Sequence, residues 1–583
     1  MNLVNIKING MSLRVPEGIT ILEAAKYANI EIPTLCYLKD INKLGACRIC
    51  LVELKGARSL VASCVYPVSE GMEVQTNTPK VRKSRKSTLE LIVSDHRKDC
   101  LSCVRSDGAC HLQRLCHEYG VDENHFLGVN PEHKIDDLST SIVRDNTKCV
   151  LCRRCVAACQ NLQGISVIGM IDRGFATHIG SAFESSLADA PCTNCGQCIV
   201  ACPTGALHEK DDTQKVWDAI ADPDKLVLAF TAPSIRVTLG EAFDQPLGTD
   251  VTGKMVAAMR RVGFDKTFDM NVTADLTIME EAHEFLDRVK NGGKLPLITS
   301  CSPGWIKYCE HYFPEFTDNL SSCKSPQQMF GAVLKTYYAK KNGIDPSKIF
   351  VVSIIPCTAK KYEVTRDDQS AAGEGLPDVD VALTTRELSR MIKVGGVEFN
   401  RLADEEFDNP FEVGTGAAVI FGATGGVMEA ALRTASHWLD GELNIVDFKE
   451  VRGTDEGIKR ATYNVAGIEV KVGVASGLAN AKKLLEAVRS GEEEFHIIEI
   501  MACPGGCING GGQPYQNDSV RNSDIDVKGI RARALYELDR QLPLRKSHEN
   551  PVIKLLYDDY FEEPGSHTAH EILHTSYVKR GKY

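Results

Sequence analysis

Cys149-Val150-Leu151-Cys152-Arg153-Arg154-Cys155-Val156-Ala157-Ala158-Cys159 and Cys192-Thr193-Asn194-Cys195-Gly196-Gln197-Cys198-Ile199-Val200-Ala201-Cys202 are the same run, C-x2-C-x2-C-x3-C, written twice. Three cysteines at x2 steps wrap a tight turn around one iron–sulfur cluster, and the fourth reaches the other cluster. The spacing predicts one four-iron cluster on Cys149, Cys152, Cys155 and Cys202, and a second on Cys192, Cys195, Cys198 and Cys159. Zinc also takes four thiolates, but a doubled, interleaved run favours iron–sulfur. Pro203 closes the second run, whereas Gln160 follows the first. A row of clusters conducts electrons, so a redox centre is expected at its end.

Two more ligand groups precede this unit. Residues 1–78 alternate Val4, Ile6 and Ile8, turn at Asn9-Gly10 and resume at Leu13 and Val15, which reads as a β-hairpin. Thr20 and Glu23 have the spacing of a capping box, and helical spacing follows from Ile21. Cys36, Cys47, Cys50 and Cys64 then come at x10, x2 and x13. The pattern resembles a ubiquitin-like (β-grasp), plant-type ferredoxin domain with a two-iron cluster and a longer first loop. Residues 79–125 start helical and basic, then place His96, Cys100, Cys103 and Cys110 as H-x3-C-x2-C-x6-C. Three thiolates and an imidazole can close on zinc or on a four-iron cluster, and neighbouring clusters favour iron. Residues 140–210 hold the doubled run. The expected set is therefore one two-iron and three four-iron clusters.

Composition bounds the partners. The 583 residues are 43% hydrophobic and 25% charged, an ordinary globular balance for roughly three to five domains. A net charge of −11 argues against a nucleic-acid partner. No apolar run reaches the roughly 18 residues of a membrane span. The N-terminal MNLVNIKING carries no charged-then-apolar leader, so a cytoplasmic location is expected. Twenty-two cysteines there call for metals rather than disulfides, and oxygen-sensitive clusters suit an anaerobic setting.

From about residue 224 the texture changes to alternating strands and helices, an α/β body over 224–583. Strands are expected at Leu226–Phe230, Leu295–Thr299, Ile349–Ile355, Val379–Thr384, Ala418–Phe421, Ile468–Ala475 and Phe495–Met501. Three cysteine loops stand at strand-to-loop transitions: Thr299-Ser300-Cys301-Ser302-Pro303-Gly304-Trp305, Pro356-Cys357-Thr358-Ala359-Lys360-Lys361-Tyr362-Glu363, and Met501-Ala502-Cys503-Pro504-Gly505-Gly506-Cys507 followed by Gly510-Gly511-Gly512. C-x3-C among glycines lets backbone approach a cofactor closely.

On these loops the chain resembles the iron-only (FeFe) hydrogenases over essentially its full length. They are similar to that family's TSCCPxW, MPCxxKxxE and ExMACxxGCxxGGG motifs. Lys324-Ser325-Pro326-Gln327-Gln328 and Phe421-Gly422-Ala423-Thr424-Gly425-Gly426 resemble it too. The resemblance implies a two-lobed α/β hydrogenase domain with an H-cluster. That group is a four-iron cubane bridged by a cysteine sulfur to a two-iron unit bearing carbon monoxide, cyanide and azadithiolate. It implies Cys357, Cys503 and Cys507 as cubane ligands, with Cys507 the bridge. It implies Lys360 at one cyanide, Ala232, Pro233 and Ser234 at the other, and Met501, Pro356, Gly422 and Gln328 around the pocket. The reaction implied is H2 ⇌ 2H+ + 2e−, with protons passing along Cys301, Glu281, Ser321 and Glu284 to Arg288 near the exit. Glu281, Glu284 and Arg288 at i, i+3 and i+7 fit one helix face.

The chain departs from the family at one ligand. Its first loop has Cys301-Ser302 where the family has two cysteines, a relay and a cubane ligand. Either Ser302 binds as an alkoxide, or Cys301 shifts to ligate, or one corner stays open to water; a hydroxyl is a poorer ligand than a thiolate for soft iron. The x6 interval before Cys110 and Ile355 before Pro356 also depart.

The resemblance to the catalytic subunit of NAD(P)-linked, electron-bifurcating hydrogenases implies ferredoxin, or nicotinamide- and flavin-binding subunits, as partners, and maturation proteins for the two-iron unit. Gly422-Ala423-Thr424-Gly425-Gly426 lacks G-x-G-x-x-G spacing, so nucleotide chemistry falls to another subunit. A non-catalytic iron–sulfur carrier or a sensor on the same scaffold is the alternative. Cys116, Cys309 and Cys323 receive no ligand role.

Overall fold

The structure is a computed structural model describing residues 2–581 apart from 107, 129, 440–446 and 466–467. Strands Leu3–Ile8 and Met11–Pro16 pair antiparallel, Val4 opposite Val15 and Ile6 opposite Leu13, around left-handed Asn9 and Gly10. Their buried face, Val4, Ile6 and Ile8, packs on Ile21, Leu22 and Ala25 of helix Ile21–Lys26. The capping box forms: Thr20 Oγ1 accepts from Glu23 N at 3.2 Å, and Thr20 N donates to Glu23 Oε2 at 2.9 Å. Glu73–Gln75 pairs parallel with the first strand and antiparallel with Leu51–Leu54, completing a mixed five-stranded sheet.

Helix Pro79–Ser94 is capped by Thr78, whose Oγ1 accepts from Val81 N at 3.3 Å, and Pro79 at its first position needs no donor partner. Leu89 and Val93 on this helix pack with Leu112 and Leu115 of helix His111–Glu118 and with Leu35 and Ile49 of the first sheet domain. The second cysteine group is thereby fixed to the first.

In the doubled unit, each run turns into a short helix, Arg154–Ala157 or Gln197–Ala201, from a left-handed residue, Arg153 or Gly196. At Gly196 the reason is also steric. A Cβ there would lie 2.4 Å from Thr358 Oγ1 and 2.9 Å from Gly511 Cα. Two of the C-terminal loops thus press directly on the second cysteine run.

The body from residue 224 carries two four-stranded sheets. One is parallel throughout, in the order Lys266–Asp269, Leu226–Thr231, Ile349–Ile354, Val381–Leu383. The other runs Leu297–Ile298, Ile497–Met501, Ile468–Ser476, Ile458–Val465, with only the last strand antiparallel. Five of the seven predicted strands in this body are present with ends offset by two residues at most, and Leu295–Thr299 shrinks to two residues. Ala418–Phe421 is a correction: Gly416–Val419 is helical and Ile420–Gly422 continues as a 3-10 turn. The segment is buried on all sides, and a short, wholly apolar run has no periodicity to separate strand from helix. Strands Lys266–Asp269 and Ile458–Val465 escaped the sequence reading.

One buried ion pair ties the doubled unit to the C-terminal region. Arg154, with no exposed side-chain surface, donates Nη1 to Asp518 Oδ1 at 3.0 Å and Nη2 to Oδ2 at 2.5 Å. His111 Nε2 lies 3.3 Å from the same carboxylate and also meets Thr34 O. Two N-terminal units therefore meet at Asp518, and the first reaches it through His111. Asp518→Ala strands a buried guanidinium and is expected to cost about 3–5 kcal/mol, read as a lower urea midpoint with early proteolysis near residue 518. An unchanged midpoint would show that the junction adds nothing to stability.

Candidate metal centre and proton path

The three cysteine loops and the Ala232-Pro233-Ser234 turn all leave the carboxyl ends of parallel strands: Leu226–Thr231, Leu297–Ile298, Ile349–Ile354 and Ile497–Met501. Ligands bind in such crevices because the loops at these ends splay apart. Here loops from both sheets line one common cavity. Cys357, Cys503 and Cys507 line it together, with Cys301, Ser302 and Lys360. Ala232, Pro233, Ser234, Pro356, Gly422 and Met501 line it as well. The glycines after Cys507 serve packing: a Cβ on Gly510 would sit 2.1 Å from Pro356 O.

Gln328 is the exception. Gln327 lines the cavity and donates Nε2 to Glu363 Oε2 at 3.0 Å, whereas the buried Gln328 amide has no hydrogen-bond partner. On helix Pro326–Val333 the cavity wall takes Pro326 and Gln327, and Gln328 stands about 100° further round. Glu363, given no role from sequence, organises this wall. It accepts from Lys360 Nζ at 2.8 Å and from Ser325 Oγ at 2.9 Å. Its position three residues after Lys360, one helical turn on, was the available signal.

All 22 cysteines are free thiols. Burial pushes Cys507 up to about 12 and raises Cys357 and Cys503, with the other thiols of the set adding to the shift for Cys503 and Cys507. Such thiols ionise only when a cation compensates them, which a metal cluster does. The donor set, the enclosed apolar walls and one buried lysine fit the H-cluster. Charge neighbours of Cys503 are Cys357, then Cys195 of the doubled run, then Cys507. Cys195 itself lines the cavity.

The cysteines of the N-terminal sets also come together, whereas His96 has Asp99, Lys148 and Asp145 as its charged neighbours. Cys149, Cys152, Cys155 and Cys202 surround one small cavity. Cys198 has Cys195, Cys192 and Cys159 as its nearest charged company. Cys36 Sγ lies within hydrogen-bond reach of Cys47 and Cys64, and Cys64 of Cys50. Cys100, Cys103 and Cys110 neighbour one another, with Cys116 close to Cys110 and Cys100, a proximity no spacing rule shows. His96 holds its buried Nδ1 without a partner.

From Cys301 a row of polar groups leads outward. The carboxylate nearest in effect to its thiol is Glu281, on helix Asn271–Asn291. Glu281 is fully buried and makes no close hydrogen bond; burial, then Glu284, push its carboxyl up to about 8. Ser321 faces it and donates Oγ to Glu284 Oε2 at 2.9 Å. Glu284 Oε1 accepts from Arg288 Nη2 at 2.6 Å, and Arg288 also donates to Leu320 O at 2.8 Å. The row runs Cys301, Glu281, Ser321, Glu284, Arg288.

The chain matches known protein families along most of its length. Residues 225–511 match the iron only hydrogenase large subunit, C-terminal domain, and 525–580 the iron hydrogenase small subunit. Residues 2–79 match a 2Fe-2S iron-sulfur cluster binding domain, and 85–125 an NADH-ubiquinone oxidoreductase-G iron-sulfur binding region. Residues 139–208 match the ferredoxin-like domain of NADH-quinone oxidoreductase subunit 3. The chain is 50% identical to the NADP-reducing hydrogenase subunit HndD of Solidesulfovibrio fructosivorans, with all of both chains covered. It is 42% identical to iron hydrogenase 1 of Clostridium pasteurianum, over 98% of this chain and 100% of that one. An apo [FeFe]-hydrogenase structure from Chlamydomonas reinhardtii superposes with a TM-score of 0.56 at 42% identity, covering 63% of this chain and 99% of that one. At this identity over its whole length, and with three thiols and a lysine lining one cavity behind iron–sulfur domains, the chain belongs to the iron-only (FeFe) hydrogenases.

Proposed function

We propose that this hydrogenase interconverts H2 with protons and electrons at a cubane held by Cys357, Cys503 and Cys507, and exchanges those electrons with a NAD(P)-linked, flavin-binding partner subunit or with ferredoxin. The observation that carries this reading is the meeting, in one buried cavity, of three thiols, Lys360 and the inner end of the Cys301–Glu281–Ser321–Glu284–Arg288 row. When bound, the H-cluster supplies an open iron site and a pendant amine that split H2 heterolytically.

The chain's own residues do the rest. Cys507 would bridge the two parts of the cluster. Lys360, oriented by Glu363, places a compact cation for one cyanide, and the Ala232–Ser234 turn faces the other. Glu281, kept protonated near neutral pH by its burial, can pass a proton between the Cys301 thiol and Ser321. Glu284, paired with Arg288, stands between Ser321 and the surface. Cys192, Cys195, Cys198 and Cys159 would hold the cluster beside the cavity and Cys149, Cys152, Cys155 and Cys202 the next, each supplying one-electron transfer toward the histidine-ligated or two-iron site. One two-iron and three four-iron clusters account for the four ligand sets.

The nucleotide-binding partner is favoured by the similarity to an NADP-reducing subunit and by the state of the glycine loop here. Gly425 N and Met428 N donate to the buried Glu499 carboxylate at 2.6 and 2.8 Å, so this helix start is already occupied by an anion. The carrier reading draws on Ser302 alone, while Lys360 and the acid row have no use in it. Among the described residues no helix is long and apolar enough to cross a membrane; a cytoplasmic location remains part of this proposal.

The test is hydrogen evolution from reduced methyl viologen by anaerobically matured protein, with infrared carbonyl and cyanide bands. Matured protein with neither bands nor activity would defeat the proposal. Cys301→Ala is expected to keep the bands and lose roughly 10²–10⁴-fold in turnover. Glu281→Gln should lose a similar factor and separate relay from scaffold by its pH behaviour. A carboxyl raised from 4.5 to about 8 in the fold destabilises the protein progressively as pH rises between those values. Glutamine lacks that penalty, so the variant's urea midpoint should gain on wild type from pH 5 to pH 8. A gap independent of pH would show that Glu281 is ionised in the fold.

A further inference from the structure

Ser302 occupies the N-cap of helix Pro303–Tyr312, where serine is ordinarily present to bond the first-turn amides. It does not do so: the position has no side-chain cap. The hydroxyl lies instead on the cavity wall, where Ala502 N donates to Oγ at 3.3 Å. Ala502 immediately precedes Cys503. The Ser302 oxygen therefore faces the cavity beside one of its three buried thiols.

Cys301 lines the same cavity, on the side of Glu281, with Cys507 next among the groups that act on its thiol. It packs against the cluster of Ala274, Ile278, Phe421 and Met501, and the charge it feels most is Glu281. Its thiol heads the acid row, while Ser302 sits at the strand end that delivers Cys503. Backbone also limits exchange of the two: Trp305 N and Ile306 N both donate to Ser302 O, at 2.9 and 3.0 Å, fixing the peptide that orients this pair.

We infer that Ser302 Oγ is the fourth protein ligand of the cubane, so that this chain holds it by three thiolates and one alkoxide, with Cys301 left free as the relay. The inference rests on the H-cluster reading above. In forming the site, an iron–oxygen bond replaces an iron–water bond, the Ser302 hydroxyl proton goes to solvent, and no electron moves. The Ala502 N–H and the amino end of the ten-residue helix both favour negative charge on Oγ. A hard oxygen donor favours ferric over ferrous iron relative to sulfur. The cubane is therefore harder to reduce here than with four thiolates.

The experiment uses the full chain produced without the two-iron unit, so the cubane is read by itself. The cubane signal is the part of the reduced electron-paramagnetic-resonance spectrum that Cys503→Ala removes. In protein grown on β-deuterated serine, that signal should show a deuterium coupling, lost in Ser302→Ala. Ser302→Cys should shift its midpoint potential upward, and Cys301→Ala should leave both signal and coupling in place. Loss of the cubane in Cys301→Ala would make Cys301 the ligand and overturn the inference. So would an unlabelled spectrum in wild type with no change in Ser302→Ala, which means an open corner. Absence of any Cys503-dependent signal would instead remove the H-cluster reading on which this one stands.

Discussion

Burial of ionisable sulfur is the constraint on which the rest of the molecule depends. Cys357, Cys503 and Cys507 sit in an apolar enclosure that holds their thiols well above the ordinary range. An enclosure of this kind is unfavourable for a thiolate alone and favourable once a metal cluster shares the charge. Much of the surrounding structure follows. Two sheets must end their parallel strands toward a common point so that four loops can meet. Small residues must stand where loops touch, as at Gly510 against Pro356 and Gly196 against Thr358 and Gly511.

The same low-polarity setting explains why the charges nearby are so thoroughly answered. Lys360 is held by Glu363, which Ser325 and Gln327 also bond. Glu499 is held by two amides at the start of helix Gly426–Leu439. Glu281 is left without such partners, and burial keeps its proton on. An unanswered acid is costly to a fold, and the proposed relay is the use that this one would have.

What the sequence made legible was whatever depends on spacing along the chain. The cysteine runs qualify, since ligands to one cluster must recur at fixed steps. Cys202 lies beside Cys149, Cys152 and Cys155, and Cys159 beside Cys192, which is the exchange that the interleaved spacing implies. The capping box at Thr20 and Glu23 is local in the same sense. Legibility failed where three dimensions decide. Ala418–Phe421 is apolar on every side because it lies inside, so its pattern carries no period. Gln327 and Gln328 have the same chemistry one residue apart, and only helix phase separates them. Strand Ile458–Val465 is a polar edge strand without clean alternation. The nearness of Cys116 to Cys100 and Cys110 comes from the packing of a helix against a loop.

Electrons and protons must leave the same reaction without crossing. The cavity separates them by side. Cys195 of the doubled run adjoins Cys503, and the contact is held by Thr358 Oγ1 donating to Asn194 O at 2.7 Å and Gln197 Nε2 donating to Asn509 O at 3.0 Å. Those bonds join the second cysteine run to the cavity loops through protein rather than solvent. Cys301 adjoins Glu281 on the other side, and Cys507 comes next among its charged neighbours. Cys507 is thus the thiol on the side of the acid row, and Cys503 the one on the side of the doubled run. Reversing the loops would bring the acid row against the electron path and leave the relay thiol facing a cluster that handles no protons. The order of Cys503 before Cys507 in one short loop, with the first at a strand end and the second after a glycine turn, fixes that polarity in the backbone itself.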